Sequence, residues 1–288
     1  MAAAVAVARS ASPAPLPGCT PLFDAAAMRE ADRRSAADHA MPSILLMERA
    51  GLATAEAIRG RYPGARSAAI VVGSGNNGGD GMVVARHLAE WGWEVAVRAP
   101  GGGAPSTPDA AVMARIAATL GIAVEPLEGS GDLAADVVVD GLLGTGARGA
   151  PRGAVGAAVE RLAAHGGPVV SLDLPSGVEA DTGRVAGAAV RADLTVTYHG
   201  DLVGLRVAPG REHAGEVLVA DIGIPSAVTL EPVAWLAGPG AAAAVPPKGA
   251  GADKYRAGSV LVVAGAPGLT GAACLAARAS LRAGAGLT

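Results

Sequence analysis

The sequence predicts an α/β protein with a mostly parallel sheet that is covered by helices on both faces. Short apolar runs, such as residues 68–72 and 135–140, alternate with segments of helical periodicity. Near-continuous apolar runs of this length are typical of strands buried on both faces, because parallel sheets carry helices on each side. Hydrophobic residues make up 51% of the 288 residues, so the chain can fill a large core.

The predicted elements follow one another in a regular order. Helices are expected first over residues 23–39 and 43–59. The strands are then expected at residues 68–72, 94–98, 135–140, 169–173, 194–198 and 217–220, with helices between them at 82–91, 110–120 and 155–165. In open parallel sheets, ligands bind outside the carboxyl ends of the strands. We therefore expect one rim to carry the polar residues that end or follow these strands, namely Asn76, Asn77, Asp80, Asp140 and Asp173.

Charge and composition exclude several kinds of partner. The net charge is −3 and no basic block is present, so the charge gives no reason to expect binding to a nucleic acid or to a membrane surface. No apolar run approaches the ~20 residues that span a bilayer. Cys19 and Cys274 lie far apart and match no metal or redox motif, which fits a reducing cytoplasm. A homo-oligomer is compatible with the sequence.

Changes in composition predict the domain boundaries. Residues 1–20 are expected to form a disordered tail, 21–225 the main domain, and the Ala/Pro/Gly-rich stretch 226–250 a linker. Residues 251–288 are expected to hold one strand, at 259–265, and one helix, at 272–282. A single βα unit cannot close a core, so this segment is expected to be the N-terminal fragment of a second domain.

The glycine-rich stretch over residues 73–81 is the most informative part of the chain. It follows a predicted strand and contains the dinucleotide fingerprint G-x-G-x-x-G, although a tight turn without a function would read the same way. The acidic residue expected at the end of the second strand is absent, and Arg98 stands there instead. Asn76, Asn77 and Asp80 inside the turn indicate chemistry or ion binding in addition to phosphate binding.

Two further aspartates end apolar strands. Asp140 and Asp173 could each merely cap a turn, and for each residue this structural role and a functional role are about equally weighted. A carboxylate beside an amide oxygen and a hydroxyl would instead form an all-oxygen site for a hard cation, and a partly buried Asp173 with a raised pKa could act as a base. Residues 144–149 form a second glycine-rich turn, in which the guanidinium of Arg148 could bind phosphate or could simply be solvated.

Five segments carry the strongest signal when they are taken in order. They are Met47-Glu48-Arg49-Ala50-Gly51 with the Met41-Pro42-Ser43 that precedes it, Asn76-Asn77-Gly78-Gly79-Asp80-Gly81, Asp140-Gly141-Leu142-Leu143-Gly144-Thr145-Gly146, Asp173-Leu174-Pro175-Ser176-Gly177, and Asp221-Ile222-Gly223-Ile224-Pro225. Together they resemble the NAD(P)H-hydrate epimerase family, the YjeF-like N-terminal domain, over about residues 21–225. The second segment is specific, and the joint order leaves little room for chance.

The resemblance implies a three-layer α/β/α Rossmann-like fold that interconverts the R and S forms of hydrated NADH or NADPH (NADHX and NADPHX). By motif position, it implies a substrate-binding set of Asn76, Asn77, Gly78, Gly79, Asp80, Gly144, Thr145, Gly146, Ala147, Arg148, Gly149, Ala150 and Asp173. Asp173 would also be the catalytic residue at the reacting ring. One potassium ion would be coordinated by Asn77, Asp140 and Ser176.

The C-terminal segment resembles a different family. Lys254-Tyr255 and residues 259–288 look like the opening of an ADP- or ATP-dependent NAD(P)H-hydrate dehydratase. This implies the first βα unit of a ribokinase-like domain, whose ADP or ATP and Mg²⁺ would be bound by later segments. The chain is then expected to be the first part of a bifunctional repair enzyme, and not to dehydrate by itself.

The chain departs from the family pattern at one segment, and two other functions compete with epimerisation. Many members of the epimerase family carry a Lys-Pro-Gly-like segment where this chain has residues 199–204, so a role of that lysine is in doubt here. The first rival is an NADP-dependent oxidoreductase in which Arg98 binds the 2′-phosphate, but no hydride-transfer constellation is visible. The second is a non-enzymatic binding module, which the presence of Asp80, Asp140 and Asp173 disfavours.

Overall fold

The computed structural model of the chain describes residues 18–128, 133–244, 247, 249 and 251–288. They include two compact units, one over Cys19–Gly238 and one over Pro239–Thr288. Residues 1–17 of the predicted tail lie outside the described residues, whereas Cys19 and Thr20 of that segment already belong to a strand. In the described part of the chain, no helix combines the length and the apolar character that crossing a bilayer requires.

A seven-stranded parallel sheet forms the centre of the first unit, which confirms the predicted α/β class. Its strands are β2 (Ser67–Val72), β3 (Glu94–Ala99), β4 (Val124–Pro126), β5 (Val137–Gly141), β6 (Val169–Leu172), β7 (Leu194–Tyr198) and β9 (Glu216–Ala220). The order across the sheet is β4-β3-β2-β5-β6-β7-β9, and all neighbours are parallel. Six of the seven lie where apolar runs predicted them. The seventh, β4, is three residues long and escaped prediction.

The helices of the first unit are α1 (Ala25–His39), α2 (Ser43–Arg61), α3 (Asn76–Glu90), α4 (Pro108–Thr119), α5 (Gly153–Ala163) and α6 (Gly210–Ala214). Local chemistry fixes several of their ends. Helix α1 begins at Ala25 because the Asp24 carboxylate accepts the N–H of Ala27 at 2.7 Å. It ends where Ala40 turns left-handed, with φ of 52°. Helix α4 begins at Pro108, whose missing N–H costs nothing at a helix start.

Two apolar cores, one on each face of the sheet, create the three layers. Successive residues of β2 alternate between them, as the period of a strand requires. Ile70 and Val72 belong to the core that includes Leu88 of α3, while Ala69 and Val71 belong to the core that includes Leu162 of α5. Because both faces of β2 are covered, its sequence is apolar throughout instead of alternating with polar residues.

The strand order reverses direction between β2 and β5. From β2 the chain proceeds outward to β3 and β4, and it then returns to place β5 on the other side of β2. The loops that follow β2 and β5 therefore diverge and leave a crevice at the carboxyl edge of the sheet, which is where open α/β sheets bind ligands.

A small second sheet lies in the same unit. It joins β1 (Cys19–Phe23) to the antiparallel strand β10 (Ala234–Ala237) and to the parallel strand β8 (Asp201–Leu202). Strand β10 falls inside the stretch 226–250 that the sequence predicts as a linker, so that prediction is wrong for these four residues. Composition misled here, because the pairing partner of β10 is more than two hundred residues away in the chain.

The second unit contains α7 (Gly271–Ala283), close to the helix predicted at residues 272–282. The strand predicted at 259–265 is absent, and a single bridge joins Ser259 to Leu287. Leu261 and Val263 are 88% and 87% exposed. A strand needs a hydrogen-bonded neighbour, and within the described residues this segment has none beyond the bridge.

Candidate active site

A cavity of about 590 Å³ opens at the crevice between the loops after β2 and β5. Its size falls in the range of small-molecule sites. Its lining residues come from the loop and helix after β2, the loop after β5, the ends of β6 and β7, and helices α1, α2 and α4. Most positions lie on the rim that the strand pattern predicts.

The glycine turn before α3 allows backbone segments to approach one another closely. A Cβ atom on Gly78 would lie 2.0 Å from the carbonyl oxygen of Gly73, and a Cβ on Gly73 would lie 2.0 Å from that of Leu142. Neither position can carry a side chain without a shift of the backbone. Gly75 precedes α3 without any side-chain cap on the helix, so the first N–H groups of α3 are available to a ligand.

Asp173 occupies an unusual backbone conformation at the end of β6. Its φ is +66°, and the N–H of Leu174 donates to the carbonyl of Leu172 at 2.7 Å, which makes a γ-turn centred on Asp173. Such turns are strained for residues other than glycine and concentrate at functional sites. The carboxylate accepts the backbone N–H of Thr145 at 3.0 Å. Burial raises the pKa of Asp173 to about 6, and the Thr145 N–H opposes that rise.

Asp80 lines the same cavity but has no hydrogen-bond donor among the described residues. Burial, followed by the negative charges of Asp173 and Asp32, raises the pKa of Asp80 well above its usual value. Burial therefore favours the neutral form of Asp80, while Asp173, with a pKa of about 6, is mostly ionised at neutral pH. Two carboxyl groups with raised pKa values thus share one cavity in different environments, an arrangement from which acid and base roles can arise.

Tyr198, at the end of β7, contributes a buried phenol to the cavity. Its hydroxyl lies 3.0 Å from Oγ1 of Thr54, and that threonine hydroxyl donates to the carbonyl of Ala50. The tyrosine must therefore donate its hydrogen to Thr54. Burial, followed by the charge of Asp80, raises the pKa of Tyr198 well above its ordinary value, so the phenol stays neutral.

Asp140 is fully buried within β5 and accepts four hydrogen bonds. Its Oδ1 accepts from the N–H of Leu142 at 3.3 Å and from Oγ of Ser176 at 2.6 Å. Its Oδ2 accepts from Oγ of Ser171 at 2.9 Å and from the N–H of Ser176 at 2.8 Å. Burial raises the pKa of Asp140, and the bonds from Ser176, Ser171 and Leu142 oppose that rise. The segment that carries Ser176 is thereby fixed against β5.

Asn77 is joined to Ser176 through the backbone of Leu143. The Asn77 amide Nδ2 donates to the carbonyl of Leu143 at 3.0 Å, and the N–H of Leu143 donates to Oγ of Ser176 at 3.0 Å. The other amide atom, Oδ1 of Asn77, is buried and has no hydrogen-bond partner among the described residues. An unpaired buried oxygen is costly and calls for an explanation, and an absent ion is one of the recognised ones.

The structure places the predicted residues at different distances from the cavity. The predicted residues that line it are Asn76, Asn77, Asp80, Gly144, Thr145, Gly146, Ala147 and Asp173. Gly78 and Gly79 are buried in the first turn of α3, while Arg148, Gly149 and Ala150 are not among the described lining residues. Arg148 forms an ion pair with Asp181 at 2.6 Å. Asp140 and Ser176 lie behind the lining residues.

Several lining residues were not predicted as site residues, although some of them belong to the five segments that carry the family resemblance. They are Met28, Arg29 and Asp32 of α1, Ser43, Leu46, Met47 and Ala50 of α2, Thr107 and Asp109 at the start of α4, and Leu142, Leu143, Val155, Tyr198, Ile222 and Ile224. The i, i+3 spacing of Arg29 and Asp32 places both on one helix face, but nothing local in the sequence shows that this face borders a cavity.

The segment that departs from the family pattern begins with a second γ-turn. The φ of His199 is +63°, and the N–H of Gly200 donates to the carbonyl of Tyr198 at 2.7 Å. The neighbouring strands β6 and β7 therefore end in the same way. His199 is not among the described lining residues of the cavity.

Arg98, the residue that an NADP-dependent oxidoreductase would need, is also not among those lining residues. It pairs with Glu125 of β4. The structure therefore gives no support to Arg98 as a 2′-phosphate ligand in this cavity.

The fold and the site together define an α/β protein with a parallel Rossmann-like sheet and a carboxylate-rich cavity at its switch point. The chain belongs to the family described as YjeF-related protein N-terminus, whose model matches residues 43–204. This confirms the family resemblance deduced from the five sequence segments. Helix α1, which supplies three lining residues, precedes the matched range.

Relatives with assigned names cover most of the chain. A NAD(P)H-hydrate epimerase of Limosilactobacillus fermentum is 39% identical over 201 residues, which are 68% of this chain and 94% of that protein. A bifunctional NAD(P)H-hydrate repair enzyme of Moorella thermoacetica is 40% identical over 285 residues, 92% of this chain and 53% of that protein. The chain thus spans about half the length of the bifunctional relatives it matches.

A solved structure is similar in fold. The crystal structure of the yeast protein ynu0 superposes with a TM-score of 0.58 at 22% identity, over 69% of this chain and 86% of that one. This similarity in fold agrees with the Rossmann-like assignment of the parallel sheet.

Proposed function

We propose that this chain epimerises the hydrated forms of NADH and NADPH, interconverting their R and S isomers. Family membership supports the proposal, as do two relatives named for this activity, of which the chain covers 94% and 82%. The observation that carries it is the pair of carboxyl groups, Asp173 and Asp80, which line one cavity and whose pKa values are both raised by burial. Inversion at a hydroxylated carbon needs a base and an acid within reach of the same ring.

In the proposed reaction, Asp173 accepts the proton of the hydroxyl group on the hydrated ring carbon. The C–O bond becomes a carbonyl, the bond from that carbon to the ring nitrogen breaks, and its electron pair moves to the nitrogen. Neutral Asp80 supplies the proton that this nitrogen takes. Attack of the nitrogen on the other face of the carbonyl reverses each transfer, so both carboxyl groups regain their initial states. Loss and return of water at the same carbon is the alternative route.

The surrounding residues would hold the substrate for this step. The N–H groups at the start of α3, where Asn76 and Asn77 line the cavity, suit a phosphate group. The neutral Tyr198 offers an aromatic surface and a fixed hydroxyl. Holding the ring between Asp173 and Asp80 makes the proton transfers intramolecular, which removes much of the entropic part of the barrier.

A potassium ion at Asn77, Asp140 and Ser176 is part of the proposal. The three residues offer only oxygen ligands, and the unpaired Oδ1 of Asn77 needs a partner. A single carboxylate suits a monovalent cation, and no cluster of three or more His, Cys, Asp or Glu that could hold a metal occurs among the described residues. Because Asp140 already accepts four hydrogen bonds, a rotatable hydroxyl such as that of Ser176 would have to turn. The ion would supply fixed positive charge next to the substrate-binding loop.

The finer assignments of the longer protein remain predictions. Dehydration with ADP or ATP and Mg²⁺ is proposed only for a full-length chain, because this one spans about half of its bifunctional relatives. The cytoplasmic location and self-association also stay predictions.

A coupled assay tests the proposed activity. The purified chain is mixed, in potassium buffer, with an R/S mixture of hydrated NADH and with a dehydratase that consumes only the S form. Complete consumption of the mixture is expected. A halt at the S fraction, with a folded chain present, would contradict epimerisation. The Asp173→Asn variant serves as the negative control.

A further inference from the structure

The charges of the cavity do not match those of a dinucleotide unless a cation contributes. Among the described residues that line it, four are aspartates, namely Asp32, Asp80, Asp109 and Asp173, and one is a cation, Arg29. A dinucleotide carries two negative charges on its pyrophosphate and more on a 2′-phosphate. Carboxylates repel these groups, so Arg29 is the one lining side chain among the described residues that attracts them by charge.

Arg29 has no partner within the described part of the chain, and its helical neighbours do. Arg33 makes two hydrogen bonds to Glu30 at 2.7 Å, and Arg34 donates to the carbonyl of Thr229 at 2.8 Å. No hydrogen bond or ion pair joins Arg29 to another described residue, including Asp32 one turn away. Its planar fork of donors is therefore available, and guanidinium forks match phosphate oxygens.

The arginine that the sequence suggests for this task is engaged elsewhere. Arg148 pairs with Asp181 at 2.6 Å, and Oδ1 of Asp181 also accepts the N–H of Ala25 at the start of α1. Because Asp181 anchors both groups, Arg148 helps to fasten the loop after β5 to α1. Arg29 lies one turn further along this same helix and lines the cavity.

Two helix N-termini add backbone donors at the cavity. Helices α3 and α4 begin at Asn76 and Pro108, and neither has an N-cap side chain that accepts a helix N–H. The hydroxyl of Thr107 donates instead to Oδ1 of Asn76. The two N-cap residues, Gly75 and Thr107, both line the cavity. Asp109 in the first turn of α4 accepts the hydroxyl of Ser43, which offsets part of its negative charge. Uncapped helix N-termini attract anions, so they reinforce the charge of Arg29.

We propose that Arg29 of α1 binds a phosphate group of the dinucleotide substrate, as a substrate-affinity determinant outside the range of the family match. The inference rests on the proposed function for the identity of the substrate. The proposed contact joins the Arg29 guanidinium to a phosphate group, and the substrates offer two such groups. The pyrophosphate is common to both substrates, and the 2′-phosphate is present only in hydrated NADPH.

The test compares the wild-type chain with Arg29→Ala, Arg29→Lys and the control Arg33→Ala. Arg33 lies on the same helix, is paired with Glu30, and does not line the cavity. Calorimetric titrations with NAD⁺, NADP⁺ and nicotinamide riboside are run at low and at high ionic strength, together with KM and kcat for hydrated NADH and NADPH. Circular dichroism checks that each variant is folded.

Arg29→Ala is expected to weaken dinucleotide binding and to raise KM about tenfold at low salt, with little change in kcat. Arg29→Lys should keep part of the affinity, and the difference from wild type should shrink at high salt. Equal losses for NAD⁺ and NADP⁺ identify the pyrophosphate as the source, and a loss for NADP⁺ alone identifies the 2′-phosphate. Riboside binding should not change.

Other outcomes separate this inference from the proposed function. Wild-type affinity in Arg29→Ala, an equal loss in Arg33→Ala, or an equal loss for the riboside overturns the role of Arg29, even if the chain epimerises. A wild-type chain that binds dinucleotides without epimerising contradicts the proposed function, while the titrations still decide the role of Arg29. A wild-type chain that binds no dinucleotide overturns both.

Discussion

Oδ2 of Asp173 accepts the backbone N–H of Thr145 at 3.0 Å, so the end of β6 is tied to the turn that follows β5. The same carboxylate oxygen limits what the turn can carry, because a Cβ on Gly144 would lie 3.3 Å from it. The bond holds an ionised carboxylate in a buried place without neutralising it. A base needs this combination of a fixed position and a pKa close to neutral.

Replacing Asp173 with asparagine should remove the base and preserve the shape of the site. The amide oxygen can still accept the Thr145 N–H, so the variant is expected to fold. We expect the epimerisation rate to fall roughly 10²-fold or more, the usual contribution of general base catalysis. The coupled assay measures the rate, and a folded variant with a wild-type rate would remove Asp173 from the mechanism.

The rate of epimerisation should depend on pH through Asp173. Burial raises its pKa to about 6, and the ionised form is the base, so kcat/KM should rise as pH increases from 5 to above 6 and then level off. A pH–rate profile of the isolated chain checks this expectation. Each point is corrected with an enzyme-free blank. A profile that is flat between pH 5 and 8 would be incompatible with this role.

Asp80→Asn should stabilise the protein near neutral pH and reduce its activity. The folded state raises the pKa of Asp80 above the unfolded value, so the unfolded state binds fewer protons and stability is lost as pH rises above ~4. Replacing this titratable carboxyl group should raise Tm at pH 7 by about 2–4 °C, which corresponds to ~1 kcal/mol in the free energy of unfolding for a chain of this size. Thermal melts at pH 5 and 7 provide the measurement. The gain should be smaller at pH 5, and a drop in Tm at pH 7 would contradict the analysis.

Gly78→Ala should destabilise the domain far more than Gly75→Ala. A Cβ on Gly78 meets the carbonyl oxygen of Gly73 at 2.0 Å, while nothing lies within 4 Å of a Cβ on Gly75. The backbone must move in the first case, at a cost of ~3 kcal/mol or more in the free energy of unfolding. Chemical denaturation of both variants measures the difference. Equal stabilities would show that the close approach of residues 73 and 78 is relaxed in solution.

Potassium should raise the thermal stability of the chain, and Ser176→Ala should abolish that gain. The matched control is Ser171→Ala, because its hydroxyl also donates to Asp140 but is not a proposed ligand. Melting curves in potassium, sodium and lithium chloride at constant ionic strength separate ion binding from general salt effects. The proposed site would be wrong if Tm were the same in all three salts, or if both serine variants kept the potassium effect.

Local sequence patterns account for much of the fold and for part of the site. The apolar runs at β2, β5 and β6 are strands because they are buried on both sides, and burial of this kind leaves a continuous signature. The polar residues that follow them converge since parallel strands end at the same edge. The main errors have a common cause. Strand β10 forms because β1 pairs with it, and residues 259–265 remain outside any strand because, among the described residues, only a single bridge from Ser259 to Leu287 pairs with them.

By itself, the sequence determined the α/β class and the positions of six of the seven central strands along the chain, and it predicted Asn77, Asp140 and Asp173 as polar residues of one rim. These features follow from periodicity and from short motifs, which are properties of neighbouring residues. Only the tertiary structure decided that Arg148 is held by Asp181, that Arg29 faces the cavity, and that Oδ1 of Asn77 is buried without a partner. Each of these depends on segments that are distant in the chain and meet only when the layers pack, so no local pattern records them.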